Sequence, residues 1–239
     1  MKVKEKENEL LDSNLMKSAL GRRSFLQFAG ASAAGIALVA AGCRKDRNYG
    51  PIAAMGATLD FKDDFGVLNY AYALEQLEAA FYVKVASNPP SSFSVDEKAY
   101  FQDIQFHELA HREFFKNALG TAAIGSLEVD FSSINFSDRA SVLGTAMAFE
   151  DLGVSAYNGA GVRIKSADYL TLAGKIVSVE GRHASYIRDL VMPGSFSDLT
   201  TLTALGADPV NALDGALTPD KVLAIAGKYI KTKVTVINL

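Results

Sequence analysis

Two of the three histidines in the sequence follow a glutamate by three residues, at Glu108-Leu-Ala-His111 and Glu180-Gly-Arg-His183. Residues three apart on a helix point the same way, so each pair can offer one cation a carboxylate oxygen and an imidazole nitrogen together. Both pairs interrupt apolar stripes at helical spacing: Phe101, Ile104, Glu108, His111, Phe115, Ala118, and Ala173, Ile176, Glu180, His183, Ile187, Leu190. Two more stripes carry carboxylates, one through Leu68, Ala71, Glu75, Glu78, Tyr82 and Val85, the other through Leu143, Ala146, Glu150, Gly153 and Tyr157. A lone buried carboxylate costs several kcal/mol or takes up a proton. Four or five of them with two imidazoles on one core therefore require compensating positive charge, and no Lys or Arg occupies these stripes. That charge is predicted to be metal. Hard oxygen ligands with one imidazole per ion suit iron or manganese better than zinc or copper.

The elements that must position these residues are four helices, predicted over roughly 63–87, 95–119, 137–164 and 167–191. Ser94-Val-Asp-Glu97 is a capping box, Ser137 and Ser166 are candidate N-caps, and Asp63 and Asp64 suit the positive end of the first helix. Asn88-Pro89-Pro90, Gly120 and Pro193-Gly194 mark the ends. Short connections make the first and second helices, and the third and fourth, antiparallel hairpins. Residues 120–136, extended, reach about 55 Å against about 37 Å for a 25-residue helix, enough to cross the bundle and set the third helix parallel to the second. Thr218-Pro219-Asp220 opens a short helix to about residue 230, and 231–239 reads as an extended tail. The expected fold is all-α: a four-helix bundle of two hairpins joined by a long crossover, plus this C-terminal extension.

The halves repeat. Glu75 precedes Tyr82 by seven residues and Glu150 precedes Tyr157 by seven, so both halves are the same hairpin around a pseudo-two-fold axis. With 11 Glu in the chain, chance would place two of three His three residues after a Glu less than about once in a hundred. Glu78 has Gly153 as its repeat partner, which leaves it open between an additional ligand and a group hydrogen-bonded to the ligands. His107 lies off the stripe and reads as a surface or interhelix hydrogen-bonding residue. Asp151, about 100° around the helix from Glu150, reads as surface or interfacial.

Residues 63–191 resemble the ferritin-like superfamily, specifically the exported ferritin-like domain proteins called desiccation-related. The resemblance is carried by Leu74-Glu75-Gln-Leu-Glu78-Ala-Ala-Phe-Tyr82, Glu108-Leu-Ala-His111, Glu150-Asp-Leu-Gly-Val-Ser-Ala-Tyr157 and Glu180-Gly-Arg-His183. Two Glu plus two Glu-x-x-His is the known template of di-iron and di-manganese carboxylate bundles. The resemblance implies that Glu75, Glu108, His111, Glu150, Glu180 and His183 bind two iron or two manganese ions. It also implies that Tyr82 and Tyr157 hydrogen-bond ligand carboxylates.

The first forty-three residues read as an address. Arg22-Arg23 with Phe25-Leu26 resembles a twin-arginine export signal, although Gly21 stands where that pattern has Ser or Thr. The apolar run 28–42 is too short and Gly/Ala-rich for a stable span. Val39-Ala-Ala-Gly42-Cys43 looks like a lipobox, making Cys43 the lipidated first residue of a mature chain anchored to a membrane surface. Removing residues 1–42 takes away six positive and four negative side chains and leaves 18 basic against 23 acidic residues, so attachment would rest on the lipid alone. Residues 44–62 read as a tether, 63–191 as the bundle and 192–239 as the extension.

Composition bounds the rest. With 239 residues, 49% hydrophobic and 21% charged, the chain can bury a sizeable core and is neither disordered nor multi-spanning. Its net charge of −3 argues against nucleic acid as a partner, and a lone Cys excludes a disulfide framework or Cys-rich metal site. The expected function is an envelope di-metal centre acting on oxygen, peroxide or ferrous iron, with a homo-oligomer allowed. The competing expectation is a non-catalytic lipid-anchored scaffold whose extension contacts a partner.

Overall fold

The computed structural model describes residues 56–239. Arg22, Arg23, Cys43 and most of the segment assigned to a tether lie outside the described residues. Helices α1 (Asp64–Ser87), α2 (Val95–Leu119), α3 (Arg139–Gly161) and α4 (Ala167–Val191) form the bundle. They start where side-chain acceptors meet orphan amides. Asp63 accepts from the Phe65 amide, Ser94 and Glu97 form the reciprocal capping box, and Ser166 caps α4. The third helix departs from expectation by one residue. Asp138, not Ser137, caps it, because the Asp138 carboxylate takes the amides of both Ala140 and Ser141. Gly120 ends α2 with φ +54°, a left-handed value that glycine adopts without strain.

The order α1–α2–α4–α3 around the bundle follows from cross-helix pairs. Tyr82 donates to Glu150 and Tyr157 donates to Glu75, a reciprocal register that makes α1 and α3 antiparallel neighbours. His107 meets His183 and Tyr100 meets Tyr186, so α2 and α4 are antiparallel too. Since α1 and α2 are a hairpin, α2 and α3 run parallel, as the crossover length predicts.

That crossover bonds to the C-terminal extension through Glu128 and Asp130, and before them two amide side chains on α1 supply its partners. Asn69 donates to the Ala122 carbonyl and accepts from the Ile124 amide. Gln76, two turns later, donates to the Gly125 carbonyl and accepts from the Leu127 amide. Further along, Phe131 and Phe136 pack against Phe81 near the end of α1. The crossover thus tracks α1 toward its C-terminus, where α3 must begin.

The two ends of the described residues pair with each other. Strand β1 (Ala57–Asp60) pairs in parallel with β2 (Val234–Ile237), and Leu59 is fully buried. Residues 57–62, expected in a tether, therefore belong to the folded body. The extension also packs inward. The Leu217 amide donates to the Ser155 carbonyl, Ser155 Oγ to the Leu205 carbonyl, and Asn158 to the Gly215 carbonyl. Gly159 of α3 allows this approach, because a Cβ there would lie 1.8 Å from the Leu217 oxygen. Helix α5 (Pro219–Ala226) follows, and Tyr229 stacks edge-on with Phe149. Asp151, read as surface or interfacial, stands at an interface. It is buried in a two-pronged pair with Arg188, which also donates to Thr201 and so ties the extension to α3 and α4. Among the described residues no helix is long and apolar enough to cross a membrane.

Candidate metal centre

Each bundle helix sends one glutamate to its middle, and Glu75, Glu108, Glu150 and Glu180 are all fully buried. They stand there because each takes the seam position that Leu or Ile holds one or two turns away, at Ile104 on α2 and Ile176 and Ile187 on α4. His111 and His183 lie one turn beyond Glu108 and Glu180 and turn Nδ1 toward the carboxylates.

The contacts divide into two overlapping sets. His111 Nδ1 lies 2.8 Å from Glu180 Oε1, 3.6 Å from Glu75 Oε2 and 3.9 Å from Glu108 Oε2. His183 Nδ1 lies 3.0 Å from Glu108 Oε1, 3.3 Å from Glu180 Oε2 and 3.4 Å from Glu150 Oε2. Glu108 and Glu180 thus each turn one oxygen to the His111 side and the other to the His183 side. Glu75 belongs to the first side only and Glu150 to the second. In each set one ligand atom per residue lies within 4.8 Å of all the others, near enough to hold an ion.

The donor set fits a metal on a further count. Five of the carboxylate oxygens and His111 Nδ1 are buried with no hydrogen bond of good geometry. Such groups are rare without an unfilled role, since each forfeits its hydration. Among the described residues no Lys or Arg lies within ion-pair distance of these four carboxylates, as the stripes predict. Tyr82 packs on Phe101 and Tyr157 on Phe115, so the centre sits between aromatic layers.

Without metal the cluster neutralises itself with protons. Burial would lower both imidazole pKa values. For His111 the close approach of the Glu180 and Glu75 carboxylates outweighs it and raises the pKa to about 10; for His183 the Glu150 charge and its contacts with Glu108 lift it well above the usual range. Burial would raise Glu180, yet the two imidazoliums hold it at about 2. Burial carries Glu150 up to about 7 and Glu108 well above the usual carboxylate range. The two tyrosines are pushed well up by burial and by the carboxylates they donate to.

Glu78 is buried beside the cluster but belongs to neither set. It occupies the space left by its repeat partner, since a Cβ at Gly153 would come within 3.0 Å of Glu78 Oε1. Burial, then the charges of Glu108, Glu180 and Glu150, raise its pKa well above the usual range. His107 does bond between helices. Its Nδ1 lies 2.9 Å from His183 Nε2, on the ring edge away from the carboxylates. Position in the sequence offered one signal of this: His107 immediately precedes Glu108, on the flank of α2 that faces α4.

Two helical hairpins whose four helices converge on a buried carboxylate–histidine cluster define a bundle able to hold metal ions at its centre. Residues 63–193 match the family model described as Ferritin-like domain, and the chain belongs to that family. No curated protein matches the chain.

Proposed function

We propose that the protein is a dinuclear iron or manganese protein of the cell envelope that acts on oxygen, peroxide or ferrous iron. The observation that carries this reading is the split of Glu108 and Glu180, each with one oxygen toward either side of the centre. Glu75 and His111 would complete one metal position, Glu150 and His183 the other, with Glu108 and Glu180 shared. Bound there, two redox-active ions supply electrons in pairs to a small oxidant. The chain's own part is placement and insulation. Tyr157 and Tyr82 hold Glu75 and Glu150 by donating to one oxygen of each, leaving the other free toward the centre. The aromatic layers keep bulk water out of the centre.

Elemental analysis tests this, using protein purified without added metal or chelator beside the variant His111→Ala/His183→Ala. About two iron or manganese ions per chain, lost in the variant, is the expected result. No transition metal, and no uptake when iron or manganese is supplied, would sink the reading and leave a scaffold.

The envelope location rests on Arg22-Arg23, the short apolar run and the single Cys43. Cells fed labelled fatty acid are expected to label the wild-type chain and not Cys43→Ser, which should leave the membrane fraction. Equal labelling of both, or none of either, would remove the anchor from the proposal.

A further inference from the structure

The pseudo-two-fold axis pairs Glu75 with Glu150, Glu108 with Glu180, His111 with His183 and Tyr82 with Tyr157, but it fails at the outer edges of the two imidazoles. The residue before Glu108 is His107, whereas the residue before Glu180 is Val179. His183 therefore has a partner at Nε2, and His111 has none among the described residues. The His111 side chain is also the more exposed, 13% against 5% for His183.

The contact is well formed. The two rings lie 12° from parallel with centroids 5.2 Å apart. An N···N distance of 2.9 Å is too short for rings packed face to face, so the rings meet edge-on with an N–H···N bond near the plane of both. The direction of that bond follows from the chemistry. An imidazole that offers the Nδ1 lone pair to a metal carries its proton on Nε2, and that N–H needs an acceptor. His107 Nδ1 is the acceptor in reach, which puts the His107 proton on its own Nε2.

We propose that His107 is a positioning residue for His183, and that it makes the two metal positions unequal, the one completed by Glu150 and His183 being the tighter. The proposal rests on the dinuclear reading above. By accepting the Nε2 proton, His107 holds the His183 ring in the tautomer and orientation that present Nδ1 to Glu108, Glu150 and Glu180. His111 must rely on solvent for the same service.

Anaerobic titration of the metal-depleted full chain with Co²⁺, followed by its visible absorption, tests this. Wild-type protein should fill in two steps of different affinity. His107→Ala should weaken the tighter step by about 10–100-fold and leave the other in place, so that the steps merge. His107→Asn, which keeps an acceptor near the same point, should restore most of the loss. In a His183→Ala background His107→Ala should change nothing further, while in His111→Ala its effect should persist in full. An equal loss at both positions, no loss, or the same loss without His183 would each overturn the proposal. If wild-type protein takes up no Co²⁺, the dinuclear reading itself falls, which is a different outcome.

Discussion

Glu108→Leu is expected to lose both metal ions, whereas Glu75→Leu and Glu150→Leu should each retain about one. The difference follows from which carboxylates face both sides. Glu108 contacts the His111 and His183 sides with separate oxygens, while Glu75 and Glu150 are confined to one. Charge adds to the loss. Two dipositive ions are matched by the four carboxylates Glu75, Glu108, Glu150 and Glu180, and Glu78 belongs to neither ligand set. Removing a shared carboxylate leaves each position a ligand short and the pair with uncompensated buried charge, the costly condition. For the same reason Glu78→Gln should leave the metal count unchanged, and loss of one ion there would make Glu78 a ligand.

The Glu108 variant also separates metal loss from misfolding. In the metal-free protein Glu108 is a fully buried acid whose ionised form is opposed first by burial and then by Glu180. Leucine is of similar volume and needs no partner, so metal-free Glu108→Leu should be at least as heat-stable as metal-free wild type. Each kcal/mol relieved would raise the midpoint by about 2–4 °C in a domain of this size. A metal-free variant that melts well below wild type would mean that Glu108 has a packing role the cluster geometry does not account for.

The sequence carries much of this centre because its information is local. Spacing of three within Glu108–His111 and Glu180–His183, and of seven between Glu75 and Tyr82, says which side chains share a helix face, and four such faces can close only on one another. Helix starts were legible wherever the cap and its amide lie within one turn, as at Ser94 with Glu97. Where two candidate caps stand side by side, at Ser137 and Asp138, pattern alone could not choose, and the carboxylate's two amide bonds decide it. What stayed hidden depends on partners far apart in the chain. Asn69 and Gln76 look like ordinary polar residues until the crossover passes over them. Strand β1 pairs with β2 from the opposite end of the described chain, and four residues are too short a run to show a period. Asp151 and Arg188 lie on α3 and α4 on a flank that periodicity assigns to the edge of the bundle. The extension turns that flank into interior, so residues with surface-like spacing became a buried pair.

Metal-free protein should lose stability as pH rises from about 4.5 to about 10, and metal should protect it most at the alkaline end. Of the groups that titrate in this window, His107 alone opposes the rest: burial lowers its pKa, and its contribution is complete above 6.5. His111 has its pKa raised to about 10 in the folded state, so its contribution is complete below the unfolded value of 6.5 and disappears as pH climbs through 10. His183 is raised as well. Glu75, Glu78, Glu108 and Glu150 are also raised, Glu150 to about 7, so the folded state holds their protons where the unfolded chain has released them. In each case the native state binds more protons, and the slope of unfolding free energy against pH is negative. Glu180 alone among the ligands is lowered, to about 2, and its opposing contribution is complete above 4.5. Metal reverses the requirement, because ligands must shed those protons to bind, so each step up in pH lowers the cost of loading while it weakens the empty bundle. Thermal midpoints of metal-free and Mn²⁺-loaded protein at about pH 5.5, 7 and 8.5 should therefore diverge, the metal-free value falling and the gap widening. A metal-free midpoint that climbs over this range, or a gap that narrows, would mean that the buried carboxylates and imidazoles do not hold the protons their surroundings call for.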